Sequence, residues 1–148
     1  MNLQLTTHFS FEELTASETA ARHNIDNTPP IQFDQNLRHL AEALEAVRVL
    51  LDDNPIHINS GYRCRELNAL VGGQPSSAHI AGLAADFIAP AFGPPQKIMA
   101  AIAKSPLGYE QIIIEYYSWV HIAVALPGCY GHCDKLVIDG SGTRAWTG

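Results

Sequence analysis

Apolar residues recur at Leu37, Leu40, Ala41, Leu44, Val47 and Leu51. This three-to-four-residue repeat predicts a helix over 34–51 with one buried face. Upstream, Ser10 is placed to cap a helix over 10–24, with Glu12 and Glu13 in its first turn, where the helix dipole favours negative charge. Asp26-Asn27-Thr28-Pro29-Pro30 must break that helix. After Asn54-Pro55 the period shortens. Residues 56–60 alternate as a short strand that runs into Gly61-Tyr62-Arg63, and 66–71 predict a short helix stopped by Gly72-Gly73. Residues 83–89 read as a strand with Ala84, Asp86 and Ile88 on one face and Leu83, Ala85 and Phe87 on the other. Residues 94–104 read as a helix opened by prolines. Two strands, 111–115 and 119–125, are close enough to form a hairpin around Tyr116-Tyr117-Ser118. A last strand, 135–138, precedes a polar, glycine-containing tail expected to fray. Helices come first and strands later, which implies an α+β domain with a mostly antiparallel sheet.

Length and composition narrow the picture without changing it. A chain of 148 residues suits one domain, and its 47% hydrophobic content is that of an ordinary globular protein. The net charge of -6, with no block of Lys or Arg, argues against nucleic acid or an anionic membrane as partner. No apolar run is long enough to insert in a bilayer. Three cysteines, Cys64, Cys129 and Cys133, cannot make an even disulfide framework. Residues 1–10 lack the basic and apolar regions of a signal peptide. Synthesis and folding in a reducing cytoplasm are therefore expected, and the chain is expected to be a monomer.

The candidate chemistry lies on His79, just before a strand, Asp86 inside it, and His121 in a later strand. Gly82 can turn the chain so that His79 and Asp86 converge, and Ala84, on the same face as Asp86, leaves room above the sheet. Two neutral imidazoles and one carboxylate suit one Zn²⁺ ion, with a fourth position open for water. An open position distinguishes a catalytic site from a closed structural one.

The neighbours of these residues form a longer pattern. Ser60-Gly61-Tyr62-Arg63, Asn68, Val71-Gly72-Gly73, Ser77-x-His79-x-x-Gly82-x-Ala84-x-Asp86 and Trp119-Val120-His121 together resemble the zinc D-Ala-D-Ala carboxypeptidase family. That family is grouped with phage endolysin L-Ala-D-Glu peptidases, vancomycin-resistance dipeptidases and the hedgehog N-terminal domain. Thr7-His8-Phe9-Ser10-x-x-Glu13-Leu14 and Asn27-Thr28-Pro29-Pro30 are similar to the leader of short phage and prophage members. The resemblance covers about 7–125 and leaves 126–148 as a C-terminal strand and tail of one zinc peptidase domain. It implies N-terminal helices packed on a small sheet that carries the zinc site, with His79, Asp86 and His121 as ligands and Arg63 facing the substrate. A guanidinium there can hold a terminal carboxylate or polarise the scissile carbonyl.

Relatives usually place a Glu or His three residues before the last ligand, as the base that hydrolysis needs. Here that position is Ser118, which cannot serve. Glu115 is the nearest carboxylate, and a hairpin would bring it back towards the metal. Ser77 is expected to orient His79 or its loop. Gln111 is a candidate for a hydrogen bond to a ligand or to the oxyanion, and Tyr62, Trp119, Tyr116, Tyr117 and Tyr130 are candidates either for the cleft and its supports or for core and rim packing. Cys129, His132 and Cys133 offer metal ligands at tight spacing, but a fourth is not obvious unless Cys64 or Asp134 supplies it, and incidental burial or an inert loop is the favoured reading. The expected function is hydrolysis of peptidoglycan stem peptides by a D-Ala-D-Ala carboxypeptidase or a murein endopeptidase. Without a signal peptide, it must reach the wall or periplasm by release or delivery. The alternative is a zinc-containing wall-binding or virion-associated module without turnover.

Overall fold

The computed structural model describes residues 3–148. Helix α1 (Phe11–Thr15) opens on a reciprocal cap: Ser10 Oγ accepts the Glu13 N–H, and Glu13 reaches back to the Ser10 N–H. The single helix expected over 10–24 is in fact two. Ala16 is extended, and Ser17 starts helix α2 (Glu18–Arg22) by accepting the Ala20 N–H. The break has a local cause. Ser17 offers the chain a side-chain acceptor, and the Thr15 carbonyl is taken by Asn27 Nδ2 at 2.9 Å, so a continuous ladder has lost its advantage.

Helix α3 (Asp34–Leu50) follows the apolar stripe, with Leu37, Leu40, Ala41, Leu44 and Val47 all buried. Full burial of each Leu or Val side chain there is worth about 1.5–3 kcal/mol. Strand β1 (His57–Ser60) leads to helix α4 (Arg65–Leu70), a 3-10 turn (Ala78–Ala81), strand β2 (Ala84–Ile88) and helix α5 (Pro95–Ala103). Strands β3 (Gln111–Glu115), β4 (Trp119–Ala123), β5 (Asp134–Asp139) and β6 (Gly142–Ala145) complete the chain.

Among the described residues these strands form one sheet in the order β1-β2-β4-β3-β5-β6. Every pairing is antiparallel except β3 with β5, which is parallel. The α+β architecture with a mostly antiparallel sheet is as expected. The tail is not: Gly142–Ala145 pairs with β5, the Trp146 N–H reaches Lys135 O at 2.9 Å, and Trp146 packs against the core. Backbone pairing and one aromatic anchor order this polar segment.

Side-chain alternation divides the sheet into two faces. Ala85, Phe87, Ile112, Ile114, Val120 and Ile122 enter the core with α3 and with Ile98, Met99 and Ile102 of α5. The opposite face carries Asp86, Gln111, Glu115, Trp119 and His121, with Asp86 paired to His121 across β2 and β4. The β3–β4 hairpin turns through Tyr116 and Tyr117 at φ +52° and +54°, closed by Ser118 N–H to Glu115 O at 3.0 Å. Two consecutive left-handed residues make the mirror-image turn that suits hairpin twist. Each non-glycine residue held there costs about 1–2 kcal/mol. Among the described residues no helix is long and apolar enough to cross a membrane.

Candidate metal centre

The centre is built on the segment from Ser60 to Cys64. Gly61 has no room for a side chain, because a Cβ would meet the Leu14 carbonyl oxygen. The same carbonyl accepts the Tyr62 N–H at 2.8 Å. Asn27 ties the segment to the leader: Nδ2 donates to Thr15 O at 2.9 Å and Tyr62 O at 3.0 Å, and Oδ1 accepts the Cys64 N–H at 2.8 Å. His79 is then fixed at both ends. Its Nδ1 donates to Gly61 O at 2.7 Å, and its carbonyl accepts the Arg63 N–H at 3.0 Å. Ser77 starts the 3-10 turn by accepting the His79 N–H at 3.2 Å. Gly82, at φ +72°, turns the chain into β2.

His79, Asp86 and His121 are buried, and one ligand atom from each lies within 4.8 Å of the others. His79 Nε2 is 3.2 Å from Asp86 Oδ1, and His121 Nδ1 is 2.9 Å from the same oxygen. Burial lowers the His79 pKa, and the Asp86 carboxylate beside the ring offsets this only in part. A neutral ring whose Nδ1–H is given to a carbonyl must keep its lone pair on Nε2. That lone pair faces a carboxylate oxygen, an arrangement that a cation between them resolves. Burial alone would raise the Asp86 carboxyl, but the His121 and His79 imidazoles against it hold it far below the usual carboxylate range. Zinc bonds of this type imply a tetrahedral edge of roughly 3.3 Å, close to the observed separations. The donor set therefore fits Zn²⁺ better than Mg²⁺ or Ca²⁺, which prefer oxygen ligands.

Arg63 lies under the carboxylate. Its Nε donates to Ser60 Oγ at 3.0 Å, Nη1 to Asn68 Oδ1 at 3.1 Å, and Nη2 to Asp86 Oδ2 at 3.1 Å. Asn68 is itself buried and donates to Gln74 O at 2.8 Å. The guanidinium thus occupies one Asp86 oxygen and leaves the other for the histidines. Arg63 also lines a cleft of about 850 Å³ that opens over the three ligands.

Gln111, Glu115 and Trp119 line the same cleft. Glu115 Oε1 is 3.8 Å from His121 Nδ1. Burial raises the Glu115 pKa, and the negative charge of Asp86 adds to the effect. Ser118 turns away and donates to Tyr116 O at 3.0 Å. Tyr62 takes the packing alternative: it is buried in the core, its ring 6.2 Å from that of Phe33, and it does not line the cleft wall. Tyr130 is fully exposed and also lies outside that wall. The cysteine cluster does not form a second centre, since among the described residues only His79, Asp86 and His121 converge. His132 instead pairs with Glu110, and all three cysteines are free.

Sequence reasoning gave no role to Asn27, Ser60, Gly61 or Asn68, although each stands in a motif it singled out. It also missed Asp134 and Ile138 of β5, which form part of the cleft wall.

A small α+β domain with a buried His₂Asp set at the floor of an open cleft has the make-up of a metallohydrolase. The chain belongs to the Peptidase M15 family, whose model matches residues 7–123. It is similar to the zinc D-Ala-D-Ala carboxypeptidase of Streptomyces albus G, with 31% identity over 106 residues, covering 70% of this chain and 35% of the relative. The chain thus spans about a third of the length of that relative.

Proposed function

We propose that this chain is a zinc peptidase that hydrolyses a peptide bond in peptidoglycan stem peptides. The observation that carries the reading is the Glu115 carboxylate, 3.8 Å from His121 on the cleft side of a converged His₂Asp set. Membership of the Peptidase M15 family supports peptidase chemistry. Similarity to a zinc D-Ala-D-Ala carboxypeptidase supports both the metal and the substrate class.

His79, Asp86 and His121 hold the ion. When bound by these three residues, Zn²⁺ would supply Lewis acidity suited to activating water near neutral pH. Glu115 takes the proton from the attacking water and passes it to the leaving amine, a task suited to a raised carboxylate pKa. Arg63 orients Asp86 through Oδ2, and as part of the cleft lining it serves as a donor to a substrate carbonyl or carboxylate. Gln111 and Trp119 contact the peptide. Residues 1–148 act as one peptidase domain, as a monomer, on the cell wall. A lysis or wall-remodelling role goes with the resemblance of Thr7-His8-Phe9-Ser10 and Asn27-Thr28-Pro29-Pro30 to the leader of short phage members.

Mass spectrometry of muropeptides after incubation with zinc-loaded protein and with a chelated control tests the reading. Zinc-dependent product is expected, and its mass distinguishes a carboxypeptidase from an endopeptidase. Intact muropeptides in both samples would overturn turnover and leave a wall-binding module.

A further inference from the structure

The β3–β4 turn is built from residues that suit it poorly. Tyr116 and Tyr117 sit in succession at φ +52° and +54°, where glycine or asparagine is the usual choice. Strain of this kind persists only where the surroundings enforce it, and it gathers at functional sites. Both side chains have a definite place here. Tyr116 is half-exposed on the cleft wall between Glu115 and Trp119, its ring 6.0 Å from the Trp119 ring. Its N–H reaches Ile138 O of β5 at 2.7 Å. The Tyr117 hydroxyl accepts from Arg144 Nη2 at 2.6 Å, and Arg144 Nη1 is 2.9 Å from Asp139 Oδ2. The strained turn is thus stapled to the β5–β6 hairpin. That hairpin lies beyond residue 123, where the family match ends, yet its Asp134 and Ile138 line the cleft.

We propose that Tyr116 is a substrate-contacting specificity residue and that Tyr117 positions it through Arg144. The Tyr116–Trp119 pair offers an apolar aromatic wall to the carbon-rich side chains of the peptide, next to the Glu115 carboxylate. The C-terminal hairpin holds that wall at the cleft and is therefore part of substrate selection. This inference rests on the peptidase reading.

The test uses Tyr116→Gly, Tyr116→Asn, Tyr116→Phe, Tyr117→Phe and Arg144→Met, each zinc-loaded, with steady-state turnover of a muropeptide and thermal denaturation. Tyr116→Gly and Tyr116→Asn are expected to raise the melting temperature by about 2–4 °C through relief of strain. They should also raise KM about tenfold while kcat changes less than twofold. Tyr116→Phe keeps the parental KM. Tyr117→Phe and Arg144→Met each raise KM about threefold, and the double variant is no worse than either single one, since both cut the same staple. An active parent with parental KM in Tyr116→Gly overturns the inference alone. So does a fall in melting temperature in both Tyr116→Gly and Tyr116→Asn. A zinc-loaded parent without turnover overturns the peptidase reading and this inference together.

Discussion

The His79 ring donates its Nδ1–H to the Gly61 carbonyl oxygen at 2.7 Å, so a backbone atom sets the tautomer of a metal-facing histidine. That carbonyl is in turn fixed by the leader, since Gly61 lies against Leu14 too closely to carry a side chain. Gly61→Ala should therefore push α1 away and misalign His79. Loss of such outer support costs about 10–100-fold in metal affinity. Competition with a chromogenic chelator measures it, and parental zinc affinity in the variant would refute the coupling.

Arg63 and Asp86 form a largely buried pair at 3.1 Å. Removing one member of such a pair costs about 3–5 kcal/mol, because the other charge stays behind. Arg63→Met should lower metal-free stability on this scale in urea unfolding. Arg63→Lys should recover little, since one ammonium cannot serve Ser60, Asn68 and Asp86 together. If lysine restores both stability and zinc affinity, the three-way fork is unimportant.

Glu115→Gln is expected to keep full zinc content and lose turnover by about 100–10,000-fold, the range for general acid–base groups. Stability should move the other way. Burial and the charge of Asp86 raise the folded Glu115 pKa above its unfolded value, so the ionised side chain destabilises the metal-free fold. That penalty is present above the raised pKa and disappears as pH falls below the ordinary carboxylate value. Metal-free Glu115→Gln should thus be more stable than the parent at pH 7 and equal to it near pH 3.

The same shift sets a limb in the pH–rate profile. Glu115 must be ionised to accept a proton, so kcat/KM should fall on acidification through a value above that of a free glutamate. A profile that is flat down to pH 4 would remove Glu115 as the base.

Much of this was legible because it is local. The α3 stripe repeats within one element, and His79, Gly82, Ala84 and Asp86 lie within eight residues of chain. What escaped depends on partners far along the sequence. Ser17 looks like any helical serine until Asn27 takes the Thr15 carbonyl. Gly142–Ala145 has no apolar alternation, and only its pairing with β5 makes it a strand. Arg63 can be assigned to the cleft from its motif, but its grip on Asp86 spans 23 positions and exists only in the folded chain. Tyr62 stands inside the motif, yet there its backbone, not its ring, supports the site.

The parallel contact between β3 and β5 also separates two kinds of integrity. His79, Asp86 and His121 all precede residue 134 and sit on elements that pair without β5. Without β5, Ile112, Ile113 and Ile114 would lie on an open strand edge, the kind of surface that recruits other chains. A chain whose β5–β6 hairpin has come loose therefore keeps its ligand set together while exposing an edge prone to aggregation.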